Sequence, residues 1–361
     1  MAGQVMLRLP RLQYLRPRSV AEAADLAAST PGAMFIAGGT DLVPNLKRRQ
    51  FDVSTLISLN ALTDTGRIEG NAEKGVTIGA GATLDQIANH PQLQGSYRAL
   101  GQAAASVSTP QVRYMGTLGG NLLVDPRCNY YNQTYSWRKA VGFCLKKDGD
   151  ICLVARSSPR CWAVSSSDTA PVALALNAQI TLQGAKGRRR VRAADIYKDD
   201  GIDYTTKSKD EVITTFDVPA PSGRMTSAYW KLRRRPAFDF PILSVAIALI
   251  WDEGLVREAR GALGAVGSHP VDLGAFLSPL IGQRPDEALI AEVAEAADKP
   301  SRPLDNTDLS HFWRKRMTKV YIERALRDAC GLVAVDGRLN AQLKANVTIG
   351  PSRQTGERFT L

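Results

Sequence analysis

Four of the chain's five cysteines, Cys128, Cys144, Cys152 and Cys161, follow one another at separations of 16, 8 and 9 residues. Four thiolates can hold a zinc ion or a [4Fe–4S] cluster, or pair as disulfides. Disulfides belong to oxidising compartments, and the N-terminal MAGQVMLRLPRLQYLRP lacks the continuous apolar core of a secretory signal. Structural zinc usually draws on CxxC pairs, because two ligands from one knuckle set half the tetrahedron, and no such pair exists here. A cluster tolerates wide spacing when a loop wraps round it, and it needs positive charge nearby to offset its own. The segment supplies Arg127, Arg138, Lys139, Lys146, Lys147, Arg156 and Arg160 against Asp125, Asp148 and Asp150. Spacing alone leaves zinc and iron–sulfur at even weight. Cys330, alone in ALRDACGL, reads as a buried helical residue.

Two glycine turns offer a second chemistry. Ala37-Gly38-Gly39-Thr40-Asp41 follows the apolar run Met34-Phe35-Ile36. Glycines there let successive N–H groups approach an anion, and Thr40 adds a hydroxyl donor. Gly116-Thr117-Leu118-Gly119-Gly120-Asn121 repeats the pattern. Two such loops suit a dinucleotide diphosphate gripped from both sides. Neither matches GxGxxG or the P-loop, and Lys47 lacks P-loop spacing. Asp168 follows three serines at a helix start, where the pattern favours an N-cap; the alternative is an acceptor for a cofactor hydroxyl.

The elements that must position these residues are mixed. Helices are expected from the capping boxes at Ser19–Glu22 and Thr83–Gln86, and over residues 100–107, 168–176, 286–297 and 309–329. Strands are expected at 34–36, 53–59, 75–83, 179–182, 211–218, 228–232 and 242–251, the last turning back through Asp252-Glu253-Gly254 as a hairpin. The tail from 331 carries weak strand signals. This gives a cofactor domain over residues 1–222, a second domain over 223–332 and a tail over 333–361. Hydrophobic residues make up 44% and charged residues 22%, as in ordinary globular proteins. The net charge of +11 suits an acidic partner or an anionic cofactor; the short, separated RRR runs at 188–190 and 233–235 form no nucleic-acid module. The run at 188–190 reads as a solvated strand turn. The longest apolar run, Ile242 to Trp251, is too short to span a membrane.

IAGGTDLVPNLKRR, PQVRYMGTLGGNLL, SSDTAPVALALNA and YWKLRRRPAFDFPILSVA together resemble the FAD-binding medium subunit of the xanthine dehydrogenase family of molybdenum hydroxylases, over residues 7 to 330. The resemblance implies an α+β fold: a flavin domain of the vanillyl-alcohol-oxidase (PCMH) type, then an α+β C-terminal domain. It implies that Ala37, Gly38, Gly39, Thr40 and Asp41 wrap the FAD diphosphate together with Thr117, Leu118, Gly119, Gly120 and Asn121. It adds Thr109, Asp168 and Lys231 to the cofactor's contacts and assigns no catalytic residue. None of His90, His269 and His311 lies in a glycine turn, so FAD is expected to be held non-covalently.

In most members of the family the asparagine of the second turn is followed closely by the Ser/Asp helix start; here Asn121 and Asp168 stand 47 positions apart. The added segment, at about 122–165, resembles the insertion in the β-subunit of 4-hydroxybenzoyl-CoA reductase. That likeness implies a [4Fe–4S] cluster on Cys128, Cys144, Cys152 and Cys161. Tyr130, Tyr131, Tyr135, Trp137 and Trp162 read as a small core for the insertion. The chain shows no molybdenum site and no plant-type CxxxxCxxC run. The family therefore implies a large molybdenum-cofactor subunit and a small [2Fe–2S] subunit as partners; the basic surplus and the added cluster suggest ferredoxin or another one-electron carrier, and a cytoplasmic location is expected. The activity expected is that of an electron-transfer subunit, of 4-hydroxybenzoyl-CoA reductase or of an aldehyde or N-heterocycle dehydrogenase. A stand-alone flavin oxidoreductase is the alternative.

Overall fold

The computed structural model describes residues 7–332. The chain opens with β1 (Gln13–Leu15), α1 (Val20–Ser29), β2 (Ala33–Ile36), α2 (Leu42–Lys47) and β3 (Thr55–Ser58). Its strands form a parallel sheet in the order β1-β3-β2. Next come β4 (Ile68–Asn71), β5 (Gly75–Gly79), α3 (Leu84–Asn89), α4 (Arg98–Ser106), α5 (Pro110–Met115), α6 (Leu118–Leu122), α7 (Tyr135–Ala140) and α8 (Thr169–Ala175). With β6 (Gln179–Gly184), β7 (Gly187–Arg192) and β8 (Val212–Val218) they complete an antiparallel sheet ordered β4-β5-β8-β6-β7. The second part holds β9 (Arg224–Leu232), β10 (Leu243–Asp252), β11 (Leu255–Gly264), β12 (Val271–Asp272), α9 (Gly274–Leu277), α10 (Glu287–Ala297) and α11 (His311–Cys330). Its antiparallel sheet runs β12-β11-β10-β9. The weak strand signals of the tail fall outside the described residues.

The apolar run of β10 has a simple cause. Side chains alternate across a strand, and here each face meets a different core. Ala246, Ala248 and Ile250 join Ile78, Leu100, Val172 and Phe216 of the first part. Val245, Ile247 and Leu249 join Trp230, Ile290, Ile322 and Leu326 under α10 and α11. Burying each large aliphatic side chain contributes roughly 1.5–3 kcal/mol, so one strand ties the two halves together. Its turn is the expected hairpin, with a loop of two residues rather than three: Asp252 pairs with Leu255, and Glu253 and Gly254 both have positive φ (46° and 83°), the combination a type I′ turn requires. The arginines at 188–190 lie within edge strand β7 rather than in a turn, and Arg189 is paired with Glu211 at 2.5 Å.

The insertion leaves and re-enters this frame through one pair of backbone bonds. Arg127 N donates to Val164 O (2.8 Å) and Val164 N to Arg127 O (2.7 Å). Between them α7 is the single regular element, capped by Thr134, whose Oγ1 accepts from Trp137 N. Side chains hold the rest. Arg138, fully buried, donates to the carbonyls of Arg48 (3.1 Å) and Arg49 (3.0 Å) just past α2, and pairs with Asp148. On the other side Asn129 N donates to Asn306 O, and Asn306 Nδ2 to Trp162 O. The segment is thus packed against both parts of the chain.

Candidate functional site

Strand β2 delivers the first glycine turn to the mouth of a cleft of about 1320 Å³, larger than the roughly 300–1,000 Å³ of pockets for drug-sized ligands. The two glycine turns touch inside it. A Cβ on Gly38 would sit 1.8 Å from the Met115 carbonyl oxygen and 3.1 Å from Gly116 N, so only glycine lets the turns meet. Gly39 has φ +70°, a left-handed value that favours glycine. Gly39 O and Asp41 O accept the first helical bonds, from Val43 N and Asn45 N. The second turn is fixed from below: Leu118 N donates to Ala82 O (2.9 Å), Gly119 N to Ala80 O (2.8 Å), and Thr117 Oγ1 accepts from Gly120 N (3.2 Å).

Ala37, Gly38, Gly39, Thr40, Asp41, Thr117, Gly119, Gly120, Asn121 and Asp168 all line the cleft. Three expected cofactor contacts do not. Leu118 points into the core and is fully buried. Thr109 caps α5, accepting from Val112 N. Lys231 lies behind Asp168. None of the three histidines lines the cleft.

Asp168 is not the helix cap that its position suggests. Ser167 Oγ takes that role, accepting from Ala170 N at 3.0 Å, which leaves the Asp168 carboxylate free for other partners. Lys231 Nζ lies 3.0 Å from Asp168 Oδ1, with both side chains 3% exposed. Tyr229 OH donates to the same oxygen at 2.6 Å, as does Ser106 Oγ at 3.3 Å. Burial pushes the pKa of Lys231 down, and the adjacent Asp168 partly restores it. Asn121 Oδ1 accepts from Ser167 Oγ (3.0 Å), Thr169 N (3.1 Å) and Thr169 Oγ1 (2.7 Å), joining the second turn to α8. Tyr229 and Ser106 are absent from the sequence reading; the alternation of Tyr229 with Lys231 along β9 was the available signal. Asp41 pairs with Arg127 at 2.6 Å. Burial raises its pKa, which Arg127 opposes and Asp125 reinforces.

Cys128, Cys144, Cys152 and Cys161 are free, buried, and line one small cavity together. Gly201 presses on it: a Cβ there would meet Cys161 Sγ at 2.7 Å. Burial pushes the Cys128 thiol up to about 12 and the Cys161 thiol up to about 11, so neither loses its proton readily. Among the described residues no group of three or more His, Cys, Asp or Glu side chains is placed to hold a metal ion. Of the five aromatic residues expected to form a small core, Tyr131 is fully buried, while Tyr135 and Trp137 are over a third exposed; the basic side chains, not the rings, anchor the segment. Tyr131 and Lys146 line both the cysteine cavity and the cleft.

A glycine-lined cleft beside a five-stranded sheet, with a second α+β domain sharing its core, defines a two-domain dinucleotide-binding protein. Residues 10–221 match the FAD-binding domain in molybdopterin dehydrogenase, and residues 227–329 the C-terminal domain of the CO dehydrogenase flavoprotein. The chain belongs to the FAD-binding medium subunits of the xanthine dehydrogenase and CO dehydrogenase family of molybdenum hydroxylases, and it binds FAD. It is 32% identical over 266 residues to the aldehyde oxidoreductase FAD-binding subunit PaoB of Escherichia coli, covering 71% of this chain and 82% of that one. It is 25% identical over 319 residues to the glyceraldehyde dehydrogenase medium chain of Sulfolobus acidocaldarius, covering 88% and 98%. The structure of carbon monoxide dehydrogenase from Hydrogenophaga pseudoflava superposes with a TM-score of 0.73 at 25% identity, over 91% of this chain and 100% of that chain. No helix among the described residues is long and apolar enough to cross a membrane.

Proposed function

We propose that this chain is the flavin and iron–sulfur electron-transfer subunit of a molybdenum-containing dehydrogenase complex. The observation that carries the iron–sulfur part is the convergence of Cys128, Cys144, Cys152 and Cys161 on one cavity behind the cleft wall. Four thiolates are the ligand set of such a cluster, and Arg127, Arg138, Lys146 and Lys147 stand in the same segment to offset its charge. Cluster irons would also supply the positive centre that deprotonates thiols buried this deeply.

FAD, when bound, supplies the ability to exchange electrons in pairs or one at a time. The chain's own residues bind and orient it. Ala37–Asp41 together with Thr117, Gly119, Gly120 and Asn121 offer the diphosphate a preformed cradle, in which FAD is held non-covalently in this reading. Asp168, held by Lys231 and Tyr229, is the fixed acceptor for a cofactor hydroxyl. Residues 1–222 would form the flavin domain, with the cluster-bearing insertion at about 122–165, and residues 223–332 the C-terminal domain.

The partners in this reading are a large molybdenum-cofactor subunit and a small [2Fe–2S] subunit, with ferredoxin or a similar one-electron carrier at the cluster. Two relatives named for aldehyde oxidation support an aldehyde as the substrate of the complex. The four-cysteine insertion alone favours the second reading, a 4-hydroxybenzoyl-CoA reductase. Anaerobic purification, a visible spectrum and metal analysis test the assignment. The expected result is FAD with iron and acid-labile sulfide in equal amounts, and Cys144→Ser should lose the iron while keeping FAD. Zinc in place of iron, or full iron in a variant lacking all four cysteines, would refute it.

A further inference from the structure

Lys146 is a cation built into the wall between the two cavities. Its side chain is 5% exposed, and its ammonium donates to three oxygens: Asp125 Oδ1 at 2.8 Å, Pro126 O at 2.9 Å and Gly201 O at 2.6 Å. It also lies 4.7 Å from the centre of the Tyr131 ring. Lys146 lines both cavities, whereas Asp125 lines only the cleft. Of the pair, only the cation borders the cysteine cavity, while the carboxylate faces the cleft. Gly201 serves both, since its carbonyl holds Lys146 and its missing side chain makes room for Cys161. The neighbouring pair Arg127–Asp41, 2.6 Å apart, lines only the cleft, so Lys146 is the cation that borders the cysteine cavity.

We propose that the Lys146–Asp125 pair biases the exchange of single electrons between FAD and the cluster, in favour of the cluster. This rests on the reading that the cysteines hold [4Fe–4S] and the cleft holds FAD. In the exchange one electron leaves the flavin and one enters the cluster, and no bond forms or breaks. Four thiolates make the cluster anionic, so an added electron is stabilised by a cation on its wall. A carboxylate on the opposite side disfavours extra negative charge in the cleft. Both side chains are at most 10% exposed, so solvent and salt screen them little. Lys146 is a positioning and tuning residue; it exchanges no electrons itself.

The test is a reductive titration of the cluster's paramagnetic resonance signal in the full chain holding FAD and iron, with wild type, Lys146→Met, Lys146→Arg and Asp125→Asn compared. Lys146→Met should keep its iron and lower the cluster's affinity for the electron about tenfold, which for one electron is about 59 mV. Lys146→Arg should restore most of the loss. Asp125→Asn should move the cluster's potential the opposite way, upwards. Unchanged potentials at full iron content, or shifts of the same sign in both variants, would overturn the proposal. If Lys146→Met cannot retain iron, Asp125→Asn decides. Loss of iron from both would make the pair a scaffold and would also overturn it. Iron missing from the wild-type chain would instead sink the iron–sulfur reading itself.

Discussion

Replacing Gly38 by alanine probes the point where the two glycine turns touch. The added Cβ would begin 1.8 Å from Met115 O and 2.5 Å from Met115 C, both backbone atoms that no side-chain rotation can move. Reaching 3.0 Å, the limit that real Cβ contacts respect, needs the turns to part by about 1.2 Å. Gly116 N is tied to Val112 O at 2.7 Å and Gly116 O accepts from Leu84 N at 2.8 Å, so the second turn cannot retreat without breaking its support. Overpacking of this kind costs about 1–3 kcal/mol. Because the strain is relieved by opening the cradle, it should appear mainly in cofactor affinity, as a loss of roughly 5- to 150-fold. The assay is calorimetric titration of the flavin-free chain with FAD, alongside its thermal melting. Gly95→Ala, whose Cβ would meet nothing within 4 Å, is the control. FAD affinity in Gly38→Ala equal to that of Gly95→Ala would refute the reasoning.

Two further outcomes follow from the cleft's charges. Asp168→Asn leaves Lys231 buried without its counter-ion; removing one partner of such a pair costs about 3–5 kcal/mol, which denaturant unfolding should register, with Lys231→Met in the same chain recovering part of it. Lys207 lines the cleft, and burial lowers its pKa to about 8. Its charge is present below that value and lost above it, so FAD, with its anionic diphosphate, should bind more weakly at pH 9 than at pH 7. Fluorescence titration should show that slope flattened in Lys207→Gln.

Much of this frame was legible because its signals are local. The Thr83 capping box, the Asp252-Glu253-Gly254 hairpin and the long helices α10 and α11 after it depend on neighbours a few residues away. Ser19 illustrates the limit. Its Oγ caps Glu22 N as the spacing predicts, but Glu22 reaches back to Arg18 N instead of Ser19 N. The short helices α5, α6 and α7 were not anticipated, since each is only five or six residues long and owes its existence to caps and packing. The glycine turns were readable as anion loops, yet their contact with each other is long-range. At Asp168 the local pattern favours a cap because the competition from Ser167 is not visible in it, and only the folded chain brings Lys231 and Tyr229 to it from β9. The wall formed by Tyr131 and Lys146 depends on Asp125 and Gly201 meeting across a loop, which no local pattern encodes.

The paired backbone bonds between Arg127 and Val164 have a consequence for engineering. An excursion whose two ends meet as neighbouring rungs can be gained or lost without re-threading anything around it. Trimming residues 128–163 to a tight turn should therefore leave a shorter chain that still folds and still offers FAD its cleft.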